Sequence, residues 1–596
     1  MLLKTRIPLC LLAAGLFAAA PASVPAQTTE PMAARLAAQN ALFEEQYQNG
    51  LKESPERATA TGDYRYNDRL SDVSPAAIAH RHAEDLNYLA RLQAISPAGF
   101  SEQDQLSHDL MLAQLHQRLT DYGFKEYEMP VDQFNGIHLG LADLANSVPL
   151  DSVQHYQDYV ARLHQIPRVF LQTEDVLRMG IKDNLMPARF LLEKIPVQVS
   201  GVISSEPFLI PLRKFPASFS EADKARLIKE ITDAMNTDVL PAYKQFSAFI
   251  ATDYAPHGRT TLAVTSLPDG QRRYQNDLHR LTTTSLTPEE IHKIGLSEIT
   301  RIEGEMTVLA RSQGYPDIAA FRAVIKANPK YQATSAEQIV ADFRKYIAQM
   351  QPKLPELFTY IPGAPVTVEP IPAFDTGAAT HYQSGTPDGK RPGRVSVAVS
   401  DPTHRFLTND EAVAYHEGIP GHHMQISVAQ TLTGLPKFRL HSGNSGYVEG
   451  WALYAEQLGK EVGFYQDPVS DFGRLSSELF RAVRLVVDTG IHSDGWSRDK
   501  AVQFMRDSGA VDEPTIQSEI DRYIAWPGQA CSYKLGQLKF RELRERAKKE
   551  LGPAFDLRTF HDEMLSGGAL PLDLLDLRTD KWIATQKAKM KLADAQ

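Results

Sequence analysis

Apolar residues recur at three- and four-residue spacing along most of the chain, which is the pattern of helices that bury one face. Before residue 350 the pattern is most regular in five segments: 34–47, 76–92, 101–118, 152–179 and 221–249. Thr287 and Pro288 open a further helix, because threonine is a favoured N-cap residue and proline is tolerated at the first helical position. After residue 402 strong helical patterns return over 470–487, 497–508 and 533–551. The spacing predicts a mainly α protein.

Two short stretches, 366–370 and 394–399, instead alternate apolar and polar residues as strands do. A turn-rich segment lies between them, so we expect a small antiparallel β-sheet next to the helix that carries the histidines described below. An exposed edge of such a sheet can pair with an extended peptide, and packing of a cleft wall is an equal alternative. No flexible linker separates independent domains. We therefore expect one large helical unit over 27–596, with two lobes around a cleft; its N-terminal part is 27–350, and 351–596 contains the sheet and the histidines.

The N-terminus has the features of a secretory signal peptide. Lys4 and Arg6 precede an apolar run over residues 8–20, and small residues follow as far as Ala26. We expect cleavage after Ala26, which removes residues 1–26 and places the protein in the periplasm or outside the cell. No later stretch has the ~18 uninterrupted apolar residues of a membrane anchor. Cys531 is then the one cysteine left, so no internal disulfide can form.

Composition narrows the classes of partner. The formal net charge of −10 and the pI of about 6.0 leave no basic surface for a nucleic acid, so we exclude nucleic acid as the main partner. Hydrophobic residues make up 43% of the chain and charged residues 23%, as in a soluble globular protein. A large core must therefore stabilise this disulfide-free chain.

The candidate chemistry is concentrated in residues 416–423, which read His-Glu-Gly-Ile-Pro-Gly-His-His. Histidine offers neutral nitrogen ligands to zinc, and glutamate offers a ligand oxygen or a general base. In a common zinc-protease motif the second histidine follows the first by four residues on one helix, but here that position is Pro420. Proline and the glycine after it disrupt a helix, so the chain must bulge or break there to return a histidine to the metal. We assign His416 and His422 as ligands, with His423 as a neighbour of the site or the alternative second ligand.

The helix that carries His416 has a predicted start. Thr408 is followed three residues later by Glu411, the spacing of a capping box. On this helix Glu417 follows the first histidine directly and points toward the open side of the metal. We expect Glu417 to act as the general base that takes a proton from zinc-bound water and passes it to the leaving amine.

A glutamate on a following helix is the expected third ligand. Glu449 lies within the helical segment 447–463, and Glu456 follows seven residues later on nearly the same face. One of them can bind the metal while the other orients a ligand, and an ordinary salt-bridged role for Glu456 is the alternative. We prefer Glu449 as the ligand, because the neighbouring Gly450 allows close backbone approach.

Four more residues are candidates for handling a substrate. His492 and Tyr533 are candidate donors to an oxyanion in the transition state, with a structural role as the alternative for each. Arg481 and Arg484 are candidates for binding a substrate carboxylate by paired hydrogen bonds, with ordinary ion pairs as the alternative. No glycine loop for phosphate and no nucleophile elbow occurs in the sequence.

Four motifs together resemble a bacterial family known as domain of unknown function 885. They are the segments 416–423, 449–456, 488–492 and 527–536. That family is itself similar to helical zinc peptidases whose third ligand is glutamate, such as angiotensin-converting enzyme and thimet oligopeptidase. The resemblance implies a two-lobed helical cleft with zinc at its floor and hydrolysis of peptide bonds. The chain departs from the usual His-Glu-x-x-His motif by two extra residues between the histidines.

The leading hypothesis is a secreted zinc metallopeptidase that hydrolyses short peptides. A deep helical cleft admits flexible chains rather than folded proteins, so the expected partner is a peptide substrate. The same chemistry permits an amidase that acts on cell-wall peptides. A protein that binds peptides in a metal-dependent way without cleaving them is the alternative from a different class. Glu417 discriminates between them, because a pure binding site does not need a carboxylate beside the first ligand.

Overall fold

The structure is a computed structural model, and it describes residues 30–371, 379–386, 389, 391–399, 402, 405–440 and 443–594. The predicted signal peptide over 1–26 lies outside the described residues. The fold is mainly α with one small sheet, as the residue spacing predicted. Helices dominate because most segments carry a single apolar stripe, and such a stripe is buried by packing one helix against another.

The described helices of the N-terminal part are α1 (Met32–Glu53), α2 (Pro55–Ala60), α3 (Pro75–Gln93), α4 (Glu102–Gly123), α5 (Ile137–Ala142), α6 (Leu144–Ser147), α7 (Val153–Leu163), α8 (Ile166–Asp183), α9 (Arg189–Leu192), α10 (Ile195–Ser205), α11 (Glu221–Ala234), α12 (Leu240–Phe249), α13 (Gly270–Thr282), α14 (Pro288–Ser312), α15 (Ile318–Ala327), α16 (Ala336–Met350) and α17 (Leu354–Leu357). Those of the C-terminal part are α18 (Asp410–Glu417), α19 (His422–Thr431), α20 (Lys437–Leu440), α21 (Ser445–Glu461), α22 (Pro468–His492), α23 (Arg498–Ser508), α24 (Glu513–Ala525), α25 (Cys531–Leu551), α26 (Leu557–Leu565) and α27 (Leu572–Asp594). The strands are β1 (Val366–Pro370), β2 (His381–Gln383) and β3 (Gly393–Val397).

Local sequence signals explain several helix boundaries. Thr287 caps α14 in a full capping box with Glu290, as predicted. The predicted segment 152–179 is divided into α7 and α8, since Pro167 starts a new helix. The predicted segment 221–249 contains a π-helical turn, Met235–Val239, just before Pro241. Proline is the common cause of both interruptions, because it lacks the backbone donor that continues a helix.

Helices from both sides of residue 350 share one hydrophobic core. Phe43 of α1 and Met111 of α4 belong to the same buried cluster as Trp451 of α21 and Phe540 of α25. A second cluster is built from residues 70–255 alone, and a third lies along α22. The N-terminal helices therefore support the core beneath the segment that carries the histidine motif.

The sheet differs from the predicted antiparallel pair. The two predicted strands, β1 and β3, are parallel neighbours, and β2 pairs antiparallel with the other edge of β3. The prediction was wrong because the long connection between β1 and β3 contains a strand of its own, which takes the edge that a hairpin would have used. The sheet does lie next to the histidine motif, since the Tyr382 hydroxyl of β2 is 3.0 Å from Nδ1 of His423.

One helical stretch of the described residues, Arg189–Arg213, is long and apolar enough to cross a membrane by length and composition. Such a single stretch is weak evidence for a membrane span. It comprises α9, α10 and the 3-10 segment Pro207–Arg213 rather than one continuous helix. Its prolines at 196, 207 and 211 account for the breaks.

Candidate metal centre

The histidine motif breaks the helix where proline and glycine predicted a break. α18 ends at Glu417, and α19 begins at His422 after a tight turn. In the turn the backbone N–H of Gly421 donates to the Tyr415 carbonyl at 3.0 Å. The Trp451 side chain of α21 donates to the Pro420 carbonyl at 2.9 Å, so the turn is anchored to the core. As a result the rings of His416 and His422 stand 4.9 Å apart and perpendicular to each other.

Gly421 is required by close packing inside this turn. A Cβ at this position would lie 2.0 Å from the carbonyl oxygen of His416 and 2.4 Å from that of Tyr415. Both neighbours are backbone atoms, so they cannot rotate away as a flexible side chain would. The second helix can therefore start this close to the first because residue 421 has no side chain.

The start of α18 differs from the predicted capping box. The N-cap residue is Asn409, and its side chain makes no capping hydrogen bond. Glu411 is instead engaged in the core, where its carboxylate accepts hydrogen bonds from the Tyr415 hydroxyl and the Ser470 hydroxyl. The capping prediction was wrong because these tertiary donors take the glutamate away from the backbone of its own helix.

Three side chains offer ligand atoms at the spacing that zinc requires. Oε2 of Glu449 on α21 is 3.6 Å from Nε2 of His416 and 3.5 Å from Nε2 of His422. Two ligands at about 2.0–2.1 Å from a tetrahedral zinc ion are roughly 3.3 Å apart. A set of two imidazole nitrogens and one carboxylate oxygen is the chemistry that zinc prefers in catalytic sites. These three residues therefore fit a zinc ion.

Glu456 holds the first histidine from behind. Its Oε1 is 2.8 Å from Nδ1 of His416, and its side chain is only 2% exposed. A carboxylate that accepts a hydrogen bond from one imidazole nitrogen directs the other nitrogen, here Nε2, toward the metal position. Of the two roles that the sequence left open, the structure places Glu456 in the orienting position and Glu449 beside the ligand nitrogens. Nδ1 of His422 is also buried, but no protein group of the described residues bonds to it.

The electrostatics of the cluster match this arrangement. Burial by itself lowers the pKa of His416, but hydrogen bonds to Glu449 and Glu456 outweigh burial and raise this pKa to about 9. Burial raises the pKa of Glu449, yet the two histidines hold it well below its usual range. In the metal-free protein a proton on His416 thus offsets the carboxylates, and a cation that binds must displace that proton.

His423 is directed away from this cluster. Its Nδ1 is 3.0 Å from the Tyr382 hydroxyl, and its Nε2 donates to the carbonyl of Ala364 at 3.0 Å. Burial lowers the pKa of this imidazole, as expected for a neutral ring held by neutral partners. With both nitrogens engaged, His423 is a neighbour of the site, and His422 is the second imidazole of the cluster.

Glu417 lies beside the second imidazole of the cluster. Its Oε2 is 4.0 Å from Nε2 of His422, and ligand atoms of His416, Glu417 and His422 all lie within 4.8 Å of one another. No group of the described residues donates a hydrogen bond to its carboxylate. It is therefore able to accept a proton from a molecule bound beside the cluster. Glu449 rather than Glu417 is the better third ligand, because its oxygen is closer to both imidazoles.

His492 was predicted as a transition-state donor, but the structure engages both of its nitrogens elsewhere. Nδ1 accepts from the Val264 backbone N–H at 3.0 Å, and Nε2 donates to the Tyr523 carbonyl at 2.9 Å. The residue is fully buried, and burial lowers its pKa to about 3. His492 therefore joins three segments of the core and has no proton to offer a substrate. Its sequence neighbourhood contains no signal of these backbone partners, which are distant in the chain.

The remaining candidates lie on α22 and α25, where the Arg484 guanidinium is 4.4 Å from the Tyr533 ring. Arg484 is buried and forms an ion pair with Glu519 at 2.8 Å, which is the structural alternative rather than a substrate contact. The Tyr533 hydroxyl accepts a hydrogen bond from Arg522 at 3.2 Å, which leaves its own proton free for an acceptor. Arg481 is half-buried and has no carboxylate partner among the described residues. Sequence reasoning missed Arg522, which no motif separates from an ordinary surface arginine.

The fold and the cluster define a helical protein with a candidate zinc site built on a broken histidine helix. The family model for a bacterial protein of unknown function, DUF885, matches residues 55–578, so the chain belongs to this family. The structure is similar to that of a presumed lipoprotein from Colwellia psychrerythraea, with a TM-score of 0.87, 28% identity, and coverage of 92% of this chain and 99% of the other. A presumed lipoprotein of unknown function from Shewanella oneidensis shares the fold, with a TM-score of 0.71, 19% identity and the same coverage. None of the curated proteins matches the chain.

Proposed function

We propose that the protein is a zinc-dependent metallopeptidase that hydrolyses short peptides. The single observation that supports this most is the spacing of His416, His422 and Glu449. Oε2 of Glu449 is 3.6 Å from Nε2 of His416 and 3.5 Å from Nε2 of His422. Glu417, whose carboxylate receives no hydrogen bond from the described part of the chain, lies beside them. Two imidazoles, one ligand carboxylate and one spare carboxylate make up the set that metal-assisted peptide hydrolysis uses.

In this mechanism His416, His422 and Glu449 would hold the zinc ion, and Glu456 would keep the first imidazole in the tautomer that presents Nε2. A bound zinc ion supplies Lewis acidity, which polarises a carbonyl and makes water a better acid. Glu417 accepts the proton of the attacking water and then delivers it to the nitrogen of the leaving amine. Tyr533, whose hydroxyl proton has no acceptor among the residues that the structure describes, is proposed to donate to the oxygen that becomes negative in the transition state.

The proposal places the protein outside the cytoplasm. The predicted signal peptide over 1–26 and the description of the Colwellia psychrerythraea relative as a presumed lipoprotein both favour this location. We further propose a likeness of the site to the helical zinc peptidases with a glutamate ligand, on the basis of the His-Glu pair and the glutamate on a following helix. The likeness of the site is one of residue type and order, since two extra residues separate the histidines.

The proposal is tested with wild-type protein and the variant Glu417→Gln, each loaded with zinc. Metal content is measured by mass spectrometry, and activity is measured by digestion of a library of N-acetylated tetrapeptides. We expect the variant to bind one zinc ion as the wild type does and to lose at least about 100-fold in rate, because general base catalysis contributes roughly that much or more. Glu461→Gln, a surface glutamate of the same helix as Glu449, serves as the matched control.

Three outcomes separate the hypotheses. Hydrolysis by Glu417→Gln at the wild-type rate contradicts the mechanism. Tight peptide binding by the zinc-loaded wild type without any cleavage favours the metal-dependent binding protein. Cleavage of cell-wall peptides with no cleavage of the tetrapeptide library favours the amidase.

A further inference from the structure

α21 and α22 are antiparallel neighbours, and their register follows from one direct contact and one bridge through α25. Lys460 forms an ion pair with Asp471 near the loop that joins the helices. Further along, Gln537 of α25 donates to the Leu453 carbonyl, and Lys534 links that glutamine to Glu478 at 2.7 Å on each side. Residue 460 is level with 471, and residue 453 is level with 478, so both links fit one antiparallel register. Continuing this register by one helical turn places Glu449 at the height of Arg481.

Arg481 lies on the same side of α22 as Gly473, which contacts the segment just before α18. Gly473, Ser477 and Arg481 follow at four-residue spacing, which keeps them on one side of the helix. Gly473 touches the backbone just before α18, where a Cβ would lie 1.8 Å from the Thr408 carbonyl oxygen. Arg481 donates through Nη1 to the Ser477 hydroxyl at 2.8 Å, so its guanidinium lies along the same face. Arg481 therefore lies about two helical turns along α22 from the contact between Gly473 and Thr408, at the height of the third ligand.

Positive charge exceeds negative charge around this arginine. We call Arg481, Arg484 and Arg522 the arginine cluster. Among the described residues, Glu519 is the one carboxylate within ion-pair distance of any of them, at 2.8 Å from Arg484 and 3.2 Å from Arg522. Three cations facing one anion leave a net charge of about +2 in a partly buried region, and such an excess is costly unless an anion binds there.

The unused donors of the arginine cluster indicate where an anion fits. Nε of Arg481, Nη1 of Arg484 and Nε of Arg522 are buried and have no hydrogen-bond partner among the described residues. Arg484 is only 4% exposed, and its guanidinium carbon is 4.3 Å from the centre of the Phe480 ring and 4.4 Å from that of the Tyr533 ring. Arg484 is thus held in place by Glu519 and two aromatic rings, whereas Arg481 and Arg522 each keep a buried Nε–H group without a partner among the described residues.

We propose that Arg481 and Arg522 bind the free carboxyl end of the peptide substrate, so that the protein removes residues from the C-terminus. The proposal rests on the proposed peptidase function and specifies its substrate class. Arginine suits this role because its planar guanidinium matches a carboxylate with two parallel hydrogen bonds. Arg481 stands at the height of Glu449, and the Arg484–Tyr533 contact lies three residues, about 4.5 Å, further along α22.

A site that binds the free carboxyl end of a peptide directs cleavage to bonds near that end. The proposed reaction is hydrolysis of such a peptide bond, in which water supplies hydroxyl to the acyl carbon and a proton to the amino group of the released C-terminal piece.

The test compares pairs of N-acetylated tetrapeptides that end in a free carboxylate or in a carboxamide. For wild-type protein we expect kcat/KM to be roughly 10- to 100-fold higher for the free acid, which is the range set by one or two hydrogen bonds to a charged group. Arg481→Gln is expected to lose this preference, mainly through a higher KM for the acid, while the amide is cleaved within about 3-fold of the wild-type rate. Arg481→Lys is expected to restore part of the preference.

A second measurement does not depend on turnover. Calorimetric titration of Glu417→Gln with the same peptides is expected to show tighter binding of the free acid, and adding Arg481→Gln is expected to abolish the difference. Arg506→Gln, a surface arginine paired with Glu513, is the control in both assays. Equal cleavage and equal binding of acid and amide by the wild type would overturn the proposal, as would an equal loss for both peptides in Arg481→Gln. If the zinc-loaded wild type cleaves no peptide, the peptidase function fails, and the titration alone decides whether the carboxylate site exists.

Discussion

Glu456 offers the sharpest test of how the structure builds its metal site. The change Glu456→Gln keeps the size of the side chain and removes its negative charge. In the structure this carboxylate contacts Nδ1 of His416 at 2.8 Å and is almost fully buried. Glutamine can still accept a hydrogen bond from Nδ1, so the ring is expected to stay in place while the ligand nitrogen becomes a weaker base.

The expected magnitude follows from this contact. Loss of a carboxylate behind a ligand histidine typically weakens metal affinity by about 10- to 100-fold. That range corresponds to about 1.4–2.7 kcal/mol of binding free energy, at 1.36 kcal/mol for each factor of ten. A hydrogen bond to a charged group contributes about 1.5–3 kcal/mol, so the two figures agree.

Zinc affinity is measured by competition with a chromogenic chelator at pH 7, and folding is monitored by circular dichroism. We expect Glu456→Gln to unfold cooperatively, to bind zinc about 10- to 100-fold more weakly, and to lose activity in proportion at limiting zinc. Glu461→Gln, a glutamate five residues further along α21 that pairs with Arg544, is expected to bind zinc as the wild type does. Wild-type affinity in Glu456→Gln would refute the assignment of this carboxylate as the group that orients His416.

Three further predictions follow from the same site. His422→Gln is expected to lose zinc, whereas His423→Gln is expected to keep it, because both ring nitrogens of His423 already bond to protein groups. If both variants retain zinc equally in metal analysis, the ligand assignment is contradicted. In metal-free protein the pKa of His416 is raised from about 6.5 to about 9, so its contribution to stability is complete below pH 6.5 and is lost as the pH rises to 9. The unfolding temperature of the metal-free protein should therefore fall between pH 6.5 and 9, and a flat profile would contradict this prediction. Gly421→Ala is expected to lower the free energy of unfolding by at least about 1–3 kcal/mol and to weaken zinc binding. The control Gly304→Ala, which places its Cβ in open space within α14, should instead raise the free energy of unfolding in denaturant by about 0.5–1 kcal/mol.

Much of the architecture is local in origin and could be predicted without a fold. The helices follow from apolar spacing, and the capping box of α14 follows from Thr287 and Glu290. The interruption between His416 and His422 follows from proline and glycine chemistry, which allows no continuous helix there. Each of these features depends on residues within a few positions of one another, so the chain itself carries the signal.

Other features depend on contacts between distant segments, and the sequence left them open or indicated them wrongly. Strand β2 was not predicted, since three residues carry too little pattern, and its presence changed the pairing of β1 and β3. Glu411 left its predicted cap because Ser470 and Tyr415 bind it. His492 lost its predicted role because backbone groups of Val264 and Tyr523 occupy its ring.

The sequence alone therefore determined the helical class, the broken histidine helix and the short set of side chains able to hold a metal. Only the tertiary structure decided which histidine is the second imidazole, which glutamate stands beside the ligand nitrogens and which one supports the ring. The physical reason is that the direction of a buried side chain is set by the partners that satisfy its polar atoms, and for His416, His423 and Glu456 those partners lie 40 or more residues away in the chain.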